Sequence, residues 1–233
     1  MAVIVVGGNT RNIGKTSVVA GLIARLPEFR WTAFKITQFG HGFCTADGHP
    51  CACQTEEACV AVNAERDPAS GTDTSRFLAA GAERVFWVRT RIGRLADAMP
   101  RIREEIAAAP NAILESNSVI EFLQPDLYLT VLGLALPDSA ARHAAAPDSA
   151  APDSAAPDST APDFKDSARR FLPRADAILC SGSNGVALPP EFDAALGAVL
   201  GSRPRFDVAP PDWISDSLAD FVRARLAAKP GWV

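Results

Sequence analysis

Short apolar runs alternate along this chain with longer segments in which apolar residues recur every three or four positions. Val3–Val6, Trp31–Thr37 and Val85–Arg89 read as strands, as do the more continuous runs Ala112–Glu115 and Leu127–Leu132, whose lack of polar alternation suits strands buried on both faces. Ala175–Cys180 reads as a further strand. Between them, Thr16–Leu26, Ile92–Ala108, Phe192–Leu200 and Leu218–Ala227 carry helical spacing; Leu95, Met99, Ile102 and Ile106 would share one face of the second of these. Strands separated by helices predict an α/β fold with a mostly parallel sheet flanked by helices.

Two segments break this rhythm. Residues 38–72 are rich in Gly, Cys and His and weakly periodic, and a loop of that length in a compact domain is usually functional. Residues 137–163 carry Ala-Ala-Pro-Asp-Ser units beginning at Ala145, Ala150 and Ala155. Proline at every fifth position blocks helix and sheet, and the units offer little to bury, so a disordered tract between a strand and a helix is expected. The expectation is one domain over residues 1–233 with these two insertions.

The first strand runs into Gly7-Gly8-Asn9-Thr10-Arg11-Asn12-Ile13-Gly14-Lys15-Thr16-Ser17, and a helix follows. Strand, glycine-rich loop, Gly-Lys-Thr-Ser and helix in that order form a phosphate-binding loop. Glycines let backbone N–H groups turn inward on phosphate oxygens, and Lys15 can reach the β- and γ-phosphates. The Thr16 hydroxyl can ligate Mg²⁺, while the helix directs its positive end at the same anion. Asn9 stands where the first glycine of the usual motif belongs. Counting from Gly8, the loop is one residue longer than G-x-x-x-x-G-K-[ST]. Residues Gly8 to Ser17 are therefore the candidate nucleotide contacts.

That longer loop resembles the one in dethiobiotin synthetase and its relatives in the SIMIBI class of P-loop NTPases. Ala33-Phe34-Lys35 is similar to their second-strand lysine motif; the resemblance implies that Lys35 lies near the transferred phosphoryl group and the substrate. Asp73-Thr74-Ser75-Arg76 with Ala79-Ala80-Gly81-Ala82 resembles a segment of the molybdopterin-guanine dinucleotide biosynthesis protein B (MobB-like) family. It implies that Asp73 helps hold Mg²⁺ and that Arg76 contacts phosphate or substrate. Phe77 replaces a His common in that family, and Asp73 is equally suited to cap a helix starting at Thr74. Glu115 ends a buried strand where this class puts a metal-binding or water-orienting acid, although Ser116-Asn117-Ser118 follows it in place of glycine. The expected ligands are Mg²⁺ and ATP or GTP. Lys15, Lys35, Asp73 and Glu115 would carry the chemistry, and Thr16, Asp73 and Glu115 the metal.

Cys44, Cys51, Cys53 and Cys59, with His41 and His49 among them, hold four of the five cysteines in one polar stretch. Thiolate and imidazole suit Zn²⁺, Cu⁺ or an iron–sulfur cluster, although the spacing matches no common zinc or ferredoxin pattern. The alternative is reduced cysteines packed as small apolar groups. Cys180 reads as a core residue, and Asn184 in the loop after it as a contact to the base; no Asn-Lys-x-Asp signature selects guanine.

A net charge of −4 advertises no nucleic-acid surface, and no apolar run is long enough to span a bilayer. Val3–Val6 is too short for the core of a secretory leader, so a cytoplasmic location is expected. The leading expectation is MobB-like nucleoside triphosphate binding and hydrolysis in cofactor maturation, with a protein partner and a homodimer in view. The alternatives are a metallochaperone-type NTPase carrying metal on its Cys/His loop, and a dethiobiotin-synthetase-like ATP-dependent ligase or kinase.

Overall fold

The computed structural model describes residues 1–10, 12–39, 60–133, 170–182, 197 and 201–228. Eight strands form one sheet in the order β3-β4-β2-β5-β1-β6-β7-β8. They are β1 (Val3–Gly8), β2 (Trp31–Phe39), β3 (Val60–Glu65), β4 (Arg84–Arg91), β5 (Asn111–Glu115), β6 (Leu127–Gly133), β7 (Ala177–Ser181) and β8 (Arg205–Val208). Neighbours pair in parallel except β3, which runs antiparallel to β4 at the sheet edge.

Side-chain alternation along the strands sorts the core into two layers. Ile4, Val6, Ile113, Leu129 and Val131 face helices α1 (Lys15–Arg25) and α4 (Asp216–Ala227), together with Phe77 of α2 (Asp73–Ala79). Val5, Leu114, Tyr128 and Leu132 face the other way, onto Leu95, Met99, Ile102 and Ile106 of α3 (Leu95–Ala107). Both faces of β1, β5 and β6 are thus covered, which is why their sequences are apolar almost throughout.

Three expectations are corrected. The weakly periodic segment 38–72 contains β3, whose half-exposed Val-Ala-Val-Asn-Ala-Glu pattern follows from pairing on one side only. The short strand β8 was likewise not anticipated. The N-cap of α2 is Thr72 rather than Asp73: Thr72 Oγ1 accepts the Ser75 N–H at 3.1 Å, and Asp73 opens the helix. Most of the helix expected at 192–200 lies outside the described residues, as does the repeat tract at 137–163.

Candidate functional site

β1 lies between β5 and β6, and the chain leaves its carboxyl end through the glycine-rich loop. In parallel sheets of this kind ligands lie beyond the carboxyl ends of the strands, where successive connections diverge to opposite sides. The loop is built by packing. A Cβ on Gly8 would meet Ile13 Cδ1 at 2.7 Å and the Val131 carbonyl oxygen at 2.8 Å, so only glycine fits. Asn9 is buried; its N–H donates to the Val131 carbonyl at 3.2 Å and its Oδ1 accepts the Gly133 N–H at 2.9 Å. The residue in the first-glycine position therefore fastens the loop to β6 through its side chain.

A second fastening comes from Asn117. Its Oδ1 accepts the Gly8 N–H and its Nδ2 donates to the Gly8 carbonyl, both at 2.8 Å. Gly14 ends the loop at φ +91°, the left-handed region that favours glycine, and acts as the N-cap of α1 with no side-chain cap. The Lys15 ammonium donates to the Thr10 carbonyl across the loop. The ring of Trp213, from the segment before α4, packs on Gly14 so closely that a Cβ there would stand 2.0 Å from its Cζ3.

At the open end of this loop the structure brings four expected residues together. Lys35 Nζ donates to Glu115 Oε1 at 2.6 Å and to Thr16 Oγ1 at 3.0 Å, and lies 2.8 Å from Asp73 Oδ2. Thr16 Oγ1 in turn donates to Glu115 Oε2 at 2.8 Å. The strand register explains the meeting: Lys35 of β2 is paired with Glu115 of β5. Glu115 is 5% exposed and Lys35 17%, whereas Asp73 on α2 is 48% exposed. Arg76 reaches back to α1, where its Nη2 donates to Ser17 Oγ at 2.8 Å.

Asp73 owes its place to a polar knot around Glu65 at the end of β3. That carboxylate accepts the N–H groups of Arg66 and Asp67 at 3.0 and 3.1 Å, and the hydroxyls of Thr72 and Thr74 at 3.0 and 2.9 Å. Led by the Asp67 N–H, these donors hold its pKa at about 2.

A hard divalent cation such as Mg²⁺ prefers oxygen donors. The oxygens of Thr16, Asp73 and Glu115 converge on one point, Lys35 Nζ, within 3.0 Å. These are the oxygen donors that the Mg²⁺ expected from sequence takes, and the Lys35 ammonium stands at the point they share. Among the described residues no group of three or more His, Cys, Asp or Glu could hold a metal, so the set depends on the threonine hydroxyl. Arg11, His41, Cys44, His49, Cys51, Cys53, Cys59 and Asn184 lie outside the described residues. Cys180 is buried in the core, as expected.

No family model and no curated protein matches the chain. Its likenesses lie among solved structures. LpxK from Aquifex aeolicus, an "apo" form in complex with ATP, is 16% identical with a TM-score of 0.45; the match covers 89% of this chain and 53% of LpxK. The chain thus spans about half the length of LpxK. HypB from Helicobacter pylori, in complex with nickel, is 12% identical with a TM-score of 0.47, over 96% of this chain and 85% of HypB. Among the described residues no helix is long and apolar enough to cross a membrane.

Sequence reasoning missed Asn117, Trp213 and Glu65. Asn117 could have been suspected from its place directly after the strand-ending Glu115-Ser116. No local signal marks the other two.

Proposed function

We propose that this chain binds a nucleoside triphosphate with Mg²⁺ at the Gly8–Ser17 loop and cleaves its terminal phosphoanhydride slowly, in the MobB-like manner, as a step in cofactor maturation. The observation that carries this reading is the convergence of Thr16, which directly follows Lys15 in the chain, with Lys35, Asp73 and Glu115 at the carboxyl end of β5.

Backbone N–H groups of the loop and the Lys15 ammonium neutralise charge on the β- and γ-phosphates. Mg²⁺, when bound, adds charge neutralisation at the same oxygens through Thr16, Asp73 and Glu115. Glu115 has both carboxylate oxygens engaged by Lys35 and Thr16, so it holds those two groups and would take Mg²⁺ by exchanging one of these contacts for the metal. Asp73 is half exposed, and among the described residues its Oδ1 has only the 3.9 Å contact with Arg76. It is the carboxylate free to orient an attacking hydroxyl or water.

A second reading, phosphoryl transfer to a small acceptor as in a dethiobiotin-synthetase-like ligase or kinase, is favoured by one observation. The Lys35 ammonium is drawn into the phosphate end of the site rather than out to solvent.

The test is titration with a fluorescent ATP and GTP analogue, with and without Mg²⁺, beside Lys15→Ala. Micromolar, Mg²⁺-dependent binding lost in Lys15→Ala, with an unchanged melting temperature, is the expected result. Equal affinity in the two proteins would overturn the assignment.

A further inference from the structure

Among the described residues, the face of the sheet that carries α1 and α2 is only partly covered beyond the nucleotide loop. α2 packs Phe77 against Ala33 of β2 and Val85 of β4, low on the strands. Higher up on the same face stand Lys35 and Thr37 on β2, Trp87 and Arg89 on β4, and Asn63 on β3. The register puts Trp87 beside Lys35 and Asn63, and Arg89 beside Thr37. None of these side chains belongs to the apolar layer below them.

They form an ordered shelf instead. Trp87 Nε1 donates to Thr37 Oγ1 at 3.1 Å, which ties the indole to β2. The Arg89 guanidinium stacks on that indole, its carbon 4.8 Å from the ring centroid, and Nη2 donates to Asn63 Oδ1 at 3.1 Å. Arg89 Nε is buried and meets no acceptor among the described residues. A buried donor without a partner is costly, so the stack on Trp87 and the bond to Asn63 are what hold the guanidinium in place. An arginine that served only to pack would run its stem over the ring and leave the fork in water.

Charge points the same way. Lys35 is compensated by Asp73 and Glu115, and Arg76 faces Asp73. No ion pair among the described residues involves Arg89, although it stands in a row of cations leading from the phosphate loop. Its Cα lies one strand spacing and two residues from that of Lys35, about 8 Å on strand dimensions.

We propose that this shelf binds the anionic end, carboxylate or phosphate, of a second small molecule whose other end lies at Lys35. Arg89 offers the terminal nitrogens of its guanidinium, the exposed end of the fork, as the donors that such oxyanions match. Trp87 supplies the flat wall beside it, and Thr37 fixes the wall. The inference rests on the nucleotide reading only in what lies at the other end of the ligand; the anion seat itself needs no nucleotide.

The experiment uses the full chain carrying Lys15→Ala, so that anions are not taken up by the phosphate loop. Succinate and inorganic phosphate are titrated separately at constant ionic strength, and arginine Nε–H and tryptophan indole N–H resonances are followed by ¹H–¹⁵N NMR. The Arg89 and Trp87 signals, assigned with Arg89→Lys and Trp87→Phe, are expected to shift saturably with at least one probe. Which probe saturates at lower concentration tells carboxylate from phosphate. In Arg89→Gln, folded as judged by its remaining amide spectrum, the apparent Kd should rise at least about tenfold, which corresponds to about 1.4 kcal/mol. No saturable shift with either probe, or the same shift at Arg30 and other surface arginines, overturns the proposal even if nucleotide binds the wild type. Saturation at Arg89 in a protein whose wild type binds no nucleotide would leave the shelf standing and sink the nucleotide reading.

Discussion

Lys35 Nζ lies 2.6 Å from Glu115 Oε1, and the strand register pairs these two residues across β2 and β5. The carboxylate is almost wholly buried, so removing the ammonium leaves a charge that water cannot reach; breaking such a pair costs about 3–5 kcal/mol. Glu115→Gln keeps the shape and one acceptor oxygen but removes the charge that holds both Lys35 and Thr16. We expect nucleotide affinity within about tenfold of wild type and turnover reduced at least 100-fold, as for loss of a group that organises charge stabilisation. Single-turnover hydrolysis beside equilibrium binding checks this, and an unchanged rate would remove Glu115 from the mechanism.

Asn117 makes a matched pair of hydrogen bonds with the backbone of Gly8, on the strand that delivers the phosphate loop. Asn117→Ala leaves a buried N–H and C=O without partners, at a cost of about 1–3 kcal/mol. Because the loss falls on the loop rather than the core, nucleotide affinity should fall with the melting temperature. Asn117→Asp, which restores only the acceptor, should recover part of both. A variant with lowered stability and undiminished affinity would show that the fastening does not shape the site.

The central strands were legible because burial on both faces leaves a run such as Ile113-Leu114 or Leu129-Thr130-Val131 with almost no polar alternation. The meeting of Thr16, Lys35, Asp73 and Glu115 was foreshadowed unevenly: Thr16 by its offset from Gly14 in the loop, Glu115 by its place at the end of a buried strand, and Lys35 and Asp73 only through family resemblance. β3 was not, since an edge strand with half-exposed Val60, Ala61 and Val62 carries no strong period. Trp213 and Glu65 act through contacts made only after folding. Trp213 meets Gly14 from nearly two hundred residues downstream, and Glu65 finds its hydroxyl donors where β3 turns into α2.

Gly14 is confined twice over, by its left-handed backbone and by the indole of Trp213. Gly14→Ala pays about 1–2 kcal/mol for φ alone and more for the clash, and each kcal/mol should lower Tm by about 2–4 °C at this chain length. In a Trp213→Ala background the clash disappears but the backbone cost stays, so the same substitution should be less costly there. Thermal denaturation of the four proteins in a double-mutant cycle measures the difference. Equal costs in both backgrounds would mean that ring and loop do not touch.

Glu65 links pH to the placement of Asp73. Its carboxyl titrates at about 2 because backbone N–H groups and threonine hydroxyls bond the charged form, whereas an unfolded glutamate titrates near ~4.3. A folded-state pKa below the unfolded one means stabilisation that is complete above the unfolded value and lost as pH falls towards 2. Wild type should therefore exceed Glu65→Gln in Tm by a constant margin from about pH 6 upward, and the margin should shrink steadily below about pH 4.5. The knot is half exposed, so screening keeps that margin modest. Amide exchange supplies a second readout: the N–H groups of Asp67 and Ser75 should exchange faster in Glu65→Gln at neutral pH, with the loosened Thr72 cap carrying Asp73 away from Lys35. A Tm margin that stays flat from pH 3 to pH 7 would show that the charge on Glu65 does not hold the start of α2.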